Sequence, residues 1–305
     1  MELNRRNFLK FTTAASTAGI AGAAKTVNAS SHKPISPNWY GVLVDTTICI
    51  GCRKCEWVCN DVNNLPNQPL EKFEDKSVFK EQRRPDAGAY TVVNQYENPK
   101  NPEIPYSVKV QCMHCNDPAC VSACIVGALT KDQKTGTVLY DPWKCIGCRY
   151  CMAACPFQIP AYEYHNALTP QVRKCTFCFE KISKEGVAPG CVSICPVEAL
   201  TFGKRIDILK LAREKMEREP EKYINHIYGE HELGGTSWMY LSGRPVEEMG
   251  LLKFGERPIP SYTEPLQHGI FKNFIPPISL FAFLGGIMWL FNKKDETQAE
   301  EGGRQ

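Results

Sequence analysis

The sequence predicts an α+β chain: two tandem cysteine-bearing modules of short strands and helices, an irregular insert in the first, and one membrane-crossing helix near the C-terminus. Three observations carry this. Sixteen cysteines in 305 residues all lie between Cys49 and Cys195, in four groups of four. Those groups repeat as two copies of a two-group unit. A run without a single charge, Phe274 to Phe291, stands near the end. The composition is otherwise ordinary: 43% hydrophobic and 23% charged residues exclude wholesale disorder. The cysteines are too dilute for a small disulfide scaffold and too many for incidental core thiols.

Residues 1–29 read as an export leader. Arg5-Arg6-Asn7-Phe8-Leu9-Lys10 is a basic head, Phe11 to Ala24 a mildly apolar middle, and Val27-Asn28-Ala29 a small-residue end. The paired arginines resemble the twin-arginine type of signal. That route carries folded proteins, which suits a chain that must fold around a cofactor before export. A basic amphipathic helix is the alternative. The leader takes four bases and one acid with it, so the formal charge of +3 becomes neutral in the remainder. Bulk charge therefore gives no argument for a nucleic-acid partner.

Group one is Cys49, Cys52, Cys55 and Cys59, and group three is Cys145, Cys148, Cys151 and Cys155. Both have the spacing C-x2-C-x2-C-x3-C. Three thiolates at i, i+3 and i+6 in a turning loop can hold three irons of a cubane. The fourth follows on a helical turn and points elsewhere; in two-cluster ferredoxins it ligates the other cluster. Thiolate is soft and anionic, as iron–sulfur chemistry requires. Group two (Cys112, Cys115, Cys120, Cys124) and group four (Cys175, Cys178, Cys191, Cys195) keep the close first pair and the closing C-x3-C, widened by loops. Pro156 and Pro196 follow the closing cysteines of groups three and four, as in bacterial ferredoxins; groups one and two lack that proline. Structural zinc would leave one ligand of each i, i+3, i+6 triple unused. Cysteines three apart in tight loops make poor disulfides. No C-x-x-C pair precedes a histidine, so c-type haem is excluded.

The repeat is detailed. Cys49-Ile50-Gly51-Cys52-Arg53 matches Cys145-Ile146-Gly147-Cys148-Arg149, each with an aspartate four residues upstream (Asp45, Asp141). Cys120-Val121-Ser122-Ala123-Cys124 matches Cys191-Val192-Ser193-Ile194-Cys195, and both continue to Ala-Leu-Thr. Runs rich in β-formers flank the motifs: Gly41 to Val44, Tyr106 to Val110, Thr137 to Tyr140 and Leu200 to Phe202.

With Gln111-Cys112-Met113-His114-Cys115, Cys148-Arg149-Tyr150-Cys151-Met152-Ala153-Ala154-Cys155-Pro156 and Pro189-Gly190-Cys191, the chain resembles the four-cluster ferredoxin subunits of membrane-bound respiratory oxidoreductases. That family includes the electron-transfer subunits of dimethyl sulfoxide reductase, polysulfide reductase, formate dehydrogenase and periplasmic nickel–iron hydrogenase. The resemblance is strong over residues 40–203 and implies tandem bacterial ferredoxin-like modules with four 4Fe–4S clusters. It implies that motif one pairs with motif four, and motif two with motif three. One cluster would take Cys49, Cys52, Cys55 and Cys195; a second Cys175, Cys178, Cys191 and Cys59. A third would take Cys112, Cys115, Cys120 and Cys155; a fourth Cys145, Cys148, Cys151 and Cys124. Four oxidised cubanes add about −8 to a neutral chain, about −2 each with four thiolates. Arg53, Lys54, Arg149, Arg173 and Lys174 beside the ligands would either offset this or stand as solvated surface bases.

Residues 60–111 are polar and proline-rich, expected as irregular loops that serve for docking or cover the clusters. Residues 204–268 form a C-terminal extension packing on the cluster domain. In it, Asp207 opens a helix with Ile208, Leu211, Ala212, Lys215 and Met216 on one face, and Trp238 to Leu241 is extended. Residues 270–291 are expected to cross the bilayer, since Phe274 to Phe291 spans roughly 27 Å as helix against about 30 Å of hydrocarbon. Residues 292–305 would be a cytoplasmic tail, with Lys293 and Lys294 inside.

The resemblance implies a non-catalytic relay at the periplasmic face of the cytoplasmic membrane. Its partners would be a catalytic oxidoreductase subunit, nickel–iron hydrogenase first, and a quinone-reactive integral membrane subunit, with the bilayer held by the C-terminal helix. A molybdenum or tungsten enzyme of formate dehydrogenase type, or a multihaem cytochrome, is the alternative partner. A self-sufficient iron–sulfur reductase is the alternative of another class. It has little support: no P-loop, no G-x-G-x-x-G and no spare cysteine. The six histidines show no metal spacing, and His114 is expected to tune a cluster or to pack.

Overall fold

The computed structural model describes residues 35–98, 101, 103–267 and 281–289. The expected leader at 1–29 lies outside them. So does the expected anchor at 270–291, apart from residues 281–289, which are helical with Phe281, Phe283, Met288 and Trp289 exposed. Among the described residues no helix is long and apolar enough to cross a membrane. The chain divides into a body, residues 32–260, and a second unit of the two terminal segments.

In chain order the body carries β1 (Tyr40–Asp45), α1 (Lys54–Val62), β2 (Thr91–Tyr96) and β3 (Tyr106–Gln111). Then come α2 (Ala119–Ser122), β4 (Leu129–Lys131), β5 (Val138–Tyr140), α3 (Tyr150–Ala154), β6 (Ala161–Tyr162) and β7 (Val172–Arg173). The remainder is α4 (Phe179–Glu185), α5 (Gly190–Ser193), β8 (Leu200–Lys204), α6 (Arg205–Arg218) and β9 (Trp238–Leu241).

One three-stranded sheet, ordered β8-β1-β9, organises the core. β1 runs antiparallel to β8 and parallel to β9, with Val42 opposite Trp238 and Val44 opposite Tyr240. Side chains alternate across a strand, so the sheet faces two different cores. Val42, Val44, Trp238 and Tyr240 join Phe177, Cys191 and Met113 on the cysteine side. Leu43, Met239 and Leu241 join Ile208, Leu209 and Ala212 of α6 on the other. Each large aliphatic side chain buried there contributes about 1.5–3 kcal/mol.

Helix α6 begins at Arg205, two residues before the expected Asp207. The cause is tertiary. Arg205 N–H donates to Trp39 O at 2.8 Å, and its buried guanidinium donates to the carbonyls of Thr236, Gly229 and Glu230. The second correction concerns the insert, which is not irregular throughout. β2 and β3 pair antiparallel from Thr91↔Gln111 to Tyr96↔Tyr106. Thr91, Val92, Val93 and Asn94 are buried. The prolines cluster outside the β-branched run Thr91-Val92-Val93, so composition averaged over the whole segment concealed a strand.

Candidate iron–sulfur centres

Each cysteine loop bends where an ordinary L-residue resists. Gly51 (φ 67°) and Arg53 (φ 61°) are left-handed in group one, and Gly147 (φ 70°) and Arg149 (φ 59°) repeat them in group three. His114 (φ 47°) and Phe177 (φ 57°) match between groups two and four, and Gln158 (φ 53°) and Glu198 (φ 51°), each three residues past the closing cysteine, match between groups three and four. Such angles are strained for non-glycine residues and persist only where the surroundings over-determine them. The bends turn amides toward sulfur. Gly147 N–H donates to Cys145 Sγ at 3.5 Å, Phe177 N–H to Cys175 Sγ at 3.3 Å and Ala128 N–H to Cys124 Sγ at 3.2 Å. The Gly51 amide does the same for Cys49. The upstream aspartates also repeat in structure, Asp45 accepting from Thr47 N–H at 3.1 Å and Asp141 from Trp143 N–H at 3.0 Å.

The short helices sort the groups. α1 packs on α5 and α2 on α3. At Gly190 a Cβ would come within 3.3 Å of both Val58 and Val62, so α5 lies close against α1 there. Cys49, Cys52, Cys55 and Cys195 line one cavity. Cys59 stands instead in the field of Cys175, Cys191 and Cys178. The cysteines that act on Cys115 are Cys155, Cys112 and Cys120. Cys151 has Cys145, Cys124 and Cys148. Four assemblies result, each with three cysteines of one motif and the fourth of its partner. Neighbouring sets act on one another electrostatically: Cys191 on Cys55, Cys112 on Cys175 and Cys151 on Cys120.

All sixteen thiols are free of disulfides. Among the described residues no three His, Cys, Asp or Glu side chains converge on a single ion. Thiolates around a cubane bind irons at separate corners and stand farther apart than the ligands of one zinc. Burial drives the Cys49 thiol up to about 11 and the Cys175 thiol to about 12. Burial likewise holds Cys55, Cys59 and Cys115 well above the usual thiol range. Bare thiolates are disfavoured here, while a thiolate bound to a cation is not, because the metal deprotonates its ligand outright.

The expected bases divide. Arg53 is buried and donates to Glu56 at 3.1 Å and to the carbonyls of Phe73 and Asp75. Lys174 is buried and donates to Val138 O at 2.5 Å. Arg173 is half-buried on Glu163 at 2.5 Å. Arg149 is exposed, over Tyr162 and Tyr164. Two lysines were missed. Lys109, on β3, has 2% of its surface exposed. Lys131 donates to the carbonyls of His114, Cys115 and Gly136, and desolvation of its ammonium draws its pKa down to about 7. Lys109 stands inside the β-run Tyr106 to Val110 just before motif two, while Lys131 lies in none of the runs read from the sequence. His114 is fully buried, accepts from Val138 N–H through Nδ1 at 3.0 Å and lies 5.0 Å from the Phe177 ring. Burial, then the charges of Lys174 and Lys131, hold its pKa well below the usual histidine value, so it packs as neutral imidazole.

Residues 105–205 match the family model for the 4Fe-4S dicluster domain. A protein of Nitratidesulfovibrio vulgaris Hildenborough is 45% identical, over 98% of this chain and 80% of its own. The hydrogenase-2 operon protein HybA of Escherichia coli O157:H7 is 33% identical over 99% of this chain and 98% of its own. The formate dehydrogenase-O iron-sulfur subunit of Escherichia coli K12 is 32% identical over 75% of each. With free thiols gathered in fours inside strained amide-lined loops, the chain belongs to the 4Fe–4S electron-transfer subunits of oxidoreductase complexes, non-catalytic members alongside HybA and the formate dehydrogenase iron-sulfur subunits.

Proposed function

We propose that this subunit relays electrons through four 4Fe–4S clusters between a periplasmic catalytic subunit of nickel–iron hydrogenase type and a quinone-reactive membrane subunit. The cysteines would act in crossed sets: Cys49, Cys52, Cys55 with Cys195; Cys175, Cys178, Cys191 with Cys59; Cys112, Cys115, Cys120 with Cys155; Cys145, Cys148, Cys151 with Cys124. The observation that carries this reading is the neighbourhood of Cys59. It belongs to motif one by sequence, yet the cysteines that act on it are Cys175, Cys191 and Cys178 of motif four. Each cluster supplies one-electron storage when bound. The chain's own groups hold it by thiolate, direct amides at the sulfurs and exclude water from the inner sites. The likeness to HybA along nearly its whole length supports hydrogenase as partner. The formate dehydrogenase-O likeness supports the second reading, a molybdenum or tungsten enzyme. Export would follow the twin-arginine route, with residues 270–291 as the anchor.

Membranes of the native host, prepared anaerobically with the full-length chain, decide the partner. Hydrogen is expected to reduce the clusters, seen by electron paramagnetic resonance, and formate is not; the reverse result selects the second reading. The isolated chain is expected to hold about sixteen irons with matching sulfide, four per cubane. Replacing Arg5 and Arg6 by Lys is expected to leave cluster-loaded precursor in the cytoplasm.

A further inference from the structure

Lys109 is a buried cation without a protein anion. Its Nζ donates to the Gln111 amide oxygen at 2.9 Å and lies 4.3 Å above the Trp238 ring. Gln111 is held in turn, donating to the Tyr240 hydroxyl at 2.8 Å, and that hydroxyl donates to Lys109 O at 2.8 Å. Every partner in this frame is neutral. The nearby carboxylates are engaged elsewhere, Glu56 with Arg53 and Arg83, and Asp45 with Lys215. Among the described residues no carboxylate pairs with Lys109. An ammonium taken out of water at this depth is costly unless a charge answers it.

Sulfur surrounds it. Its charge acts on Cys191, Cys55, Cys175 and Cys59, and it lines the cavity that Cys49 and Cys195 share. These residues belong to two neighbouring assemblies, which meet at Cys55 and Cys191. We propose that Lys109 is the shared counter-cation of these two centres, raising both of their potentials together. The proposal rests on the cluster assignment above. A fixed positive charge in a low-dielectric site favours the reduced, more negative form of each neighbour, and the Gln111–Tyr240 frame keeps it from relaxing away. In the other two assemblies other charges lead: Lys131 is the lysine that acts on Cys115 and Lys174 the one that acts on Cys120, while cysteines dominate around Cys151.

The test is a redox titration of the full-length protein by electron paramagnetic resonance, alongside iron and sulfide analysis. Lys109→Met is expected to load all four clusters and to make two of the four waves at least tenfold harder to reduce, a fall of about 59 mV for one electron. The other two waves stay in place. Lys109→Arg restores the wild-type pattern. A fully loaded Lys109→Met protein with unmoved potentials overturns the proposal, and so does an equal shift of all four waves. If Lys109→Met does not load, Lys109→Arg decides: full loading at wild-type potentials supports the charge role, and loss of loading with arginine too refutes it. Wild-type protein without iron and sulfide would instead refute the cluster assignment itself.

Discussion

The cradle of Cys49, Cys52, Cys55 and Cys195 and the cradle of Cys145, Cys148, Cys151 and Cys124 share one loop and live in different surroundings. Their left-handed pairs, Gly51 with Arg53 and Gly147 with Arg149, are nearly superposable in φ. Beyond the loop they diverge. Arg53 is 7% exposed and sits among Glu56, Phe73 and Asp75, whereas Arg149 is exposed beside two tyrosines. Glu56 is buried where its repeat partner Met152 is half-buried. The hairpin β2–β3 makes the difference: Val93 N–H and Arg83 both donate to Glu56 Oε1, at 2.6 Å, so the insert seals motif one. In motif three Cys148 is exposed, and the insert reaches that module at Arg84, which donates to Gln158 Oε1 at 2.6 Å. Local sequence sets the ligand turn, and the insert sets the dielectric around it. Since burial, charge and bonds to sulfur tune a cluster's potential, one repeated motif yields two unlike centres.

The largest expected effect tests whether the two cradles are closed by crossed ligands at all. Cys195→Ser is expected to alter the centre of Cys49, Cys52 and Cys55, and Cys124→Ser that of Cys145, Cys148 and Cys151. Cys59→Ser should reach the centre of Cys175 instead. Each should lower iron from about sixteen to between about twelve and fifteen, as one iron or one whole cubane is lost. Anaerobic iron analysis with spectroscopic assignment checks this. A Cys59→Ser change confined to the Cys49 centre breaks the pairing, and with it the comparison of cradles.

Much of this was legible in the residues. The four groups, the repeat and the β-runs at Gly41–Val44, Thr137–Tyr140 and Leu200–Phe202 correspond to the loops and to β1, β5 and β8. The thiols are local in sequence, and their spacing alone constrains a loop. The Glu56 site was not legible, because its partners Arg83 and Val93 lie 27 and 37 residues away, inside a segment whose prolines hide a strand. Lys109 escaped for a related reason: nothing in a β-run with one lysine tells whether the ammonium points to water or to sulfur.

The sealed cradle should be the more fragile to change. Glu56→Met removes the shared carboxylate of two arginines and leaves Arg53 buried without a charge partner. The expected cost is about 3 kcal/mol, the lower end for breaking a buried pair. Met152→Ala at the matching site should cost about 1 kcal/mol, less than a core methionine because its side chain is half-buried. Anaerobic urea midpoints of the loaded protein compare them; equal losses would mean that the insert does not seal motif one.

Glycine sharpens the contrast at closer range. A Cβ at Gly51 would meet Ser107 Oγ at 2.6 Å and Gln95 Nε2 at 2.7 Å, and Ser107 is 1% exposed on β3. At Gly147 it would meet only the Tyr162 hydroxyl, at 2.8 Å, the far end of a half-buried ring that can swing. Both positions carry the left-handed penalty of about 1 kcal/mol for alanine. Gly51→Ala should add crowding for a total of about 2–3 kcal/mol, and Gly147→Ala should stay near the backbone penalty alone. The same urea midpoints measure the difference.

The smallest effect is expected at Arg149. Its guanidinium lies 5.7 Å from the Tyr162 ring centre and 5.9 Å from that of Tyr164, and Nη1 reaches the Tyr164 hydroxyl at 3.5 Å. At an exposed site such stacking contributes about 0.5–1 kcal/mol, and no buried partner is orphaned when it goes. Arg149→Ala should therefore cost less than about 1 kcal/mol. It even removes a side chain that must hold a left-handed φ without changing that φ, so no strain is relieved. Arg53→Ala, by contrast, strips Glu56 of one of its two cations and leaves the Phe73 and Asp75 carbonyls without their donor, an expected loss of about 2–3 kcal/mol. Paired unfolding midpoints decide between them. A loss at Arg149 as large as that at Arg53 would mean that the arginine after the second cysteine acts through the loop itself, common to both repeats, rather than through the insert residues that Arg53 alone touches.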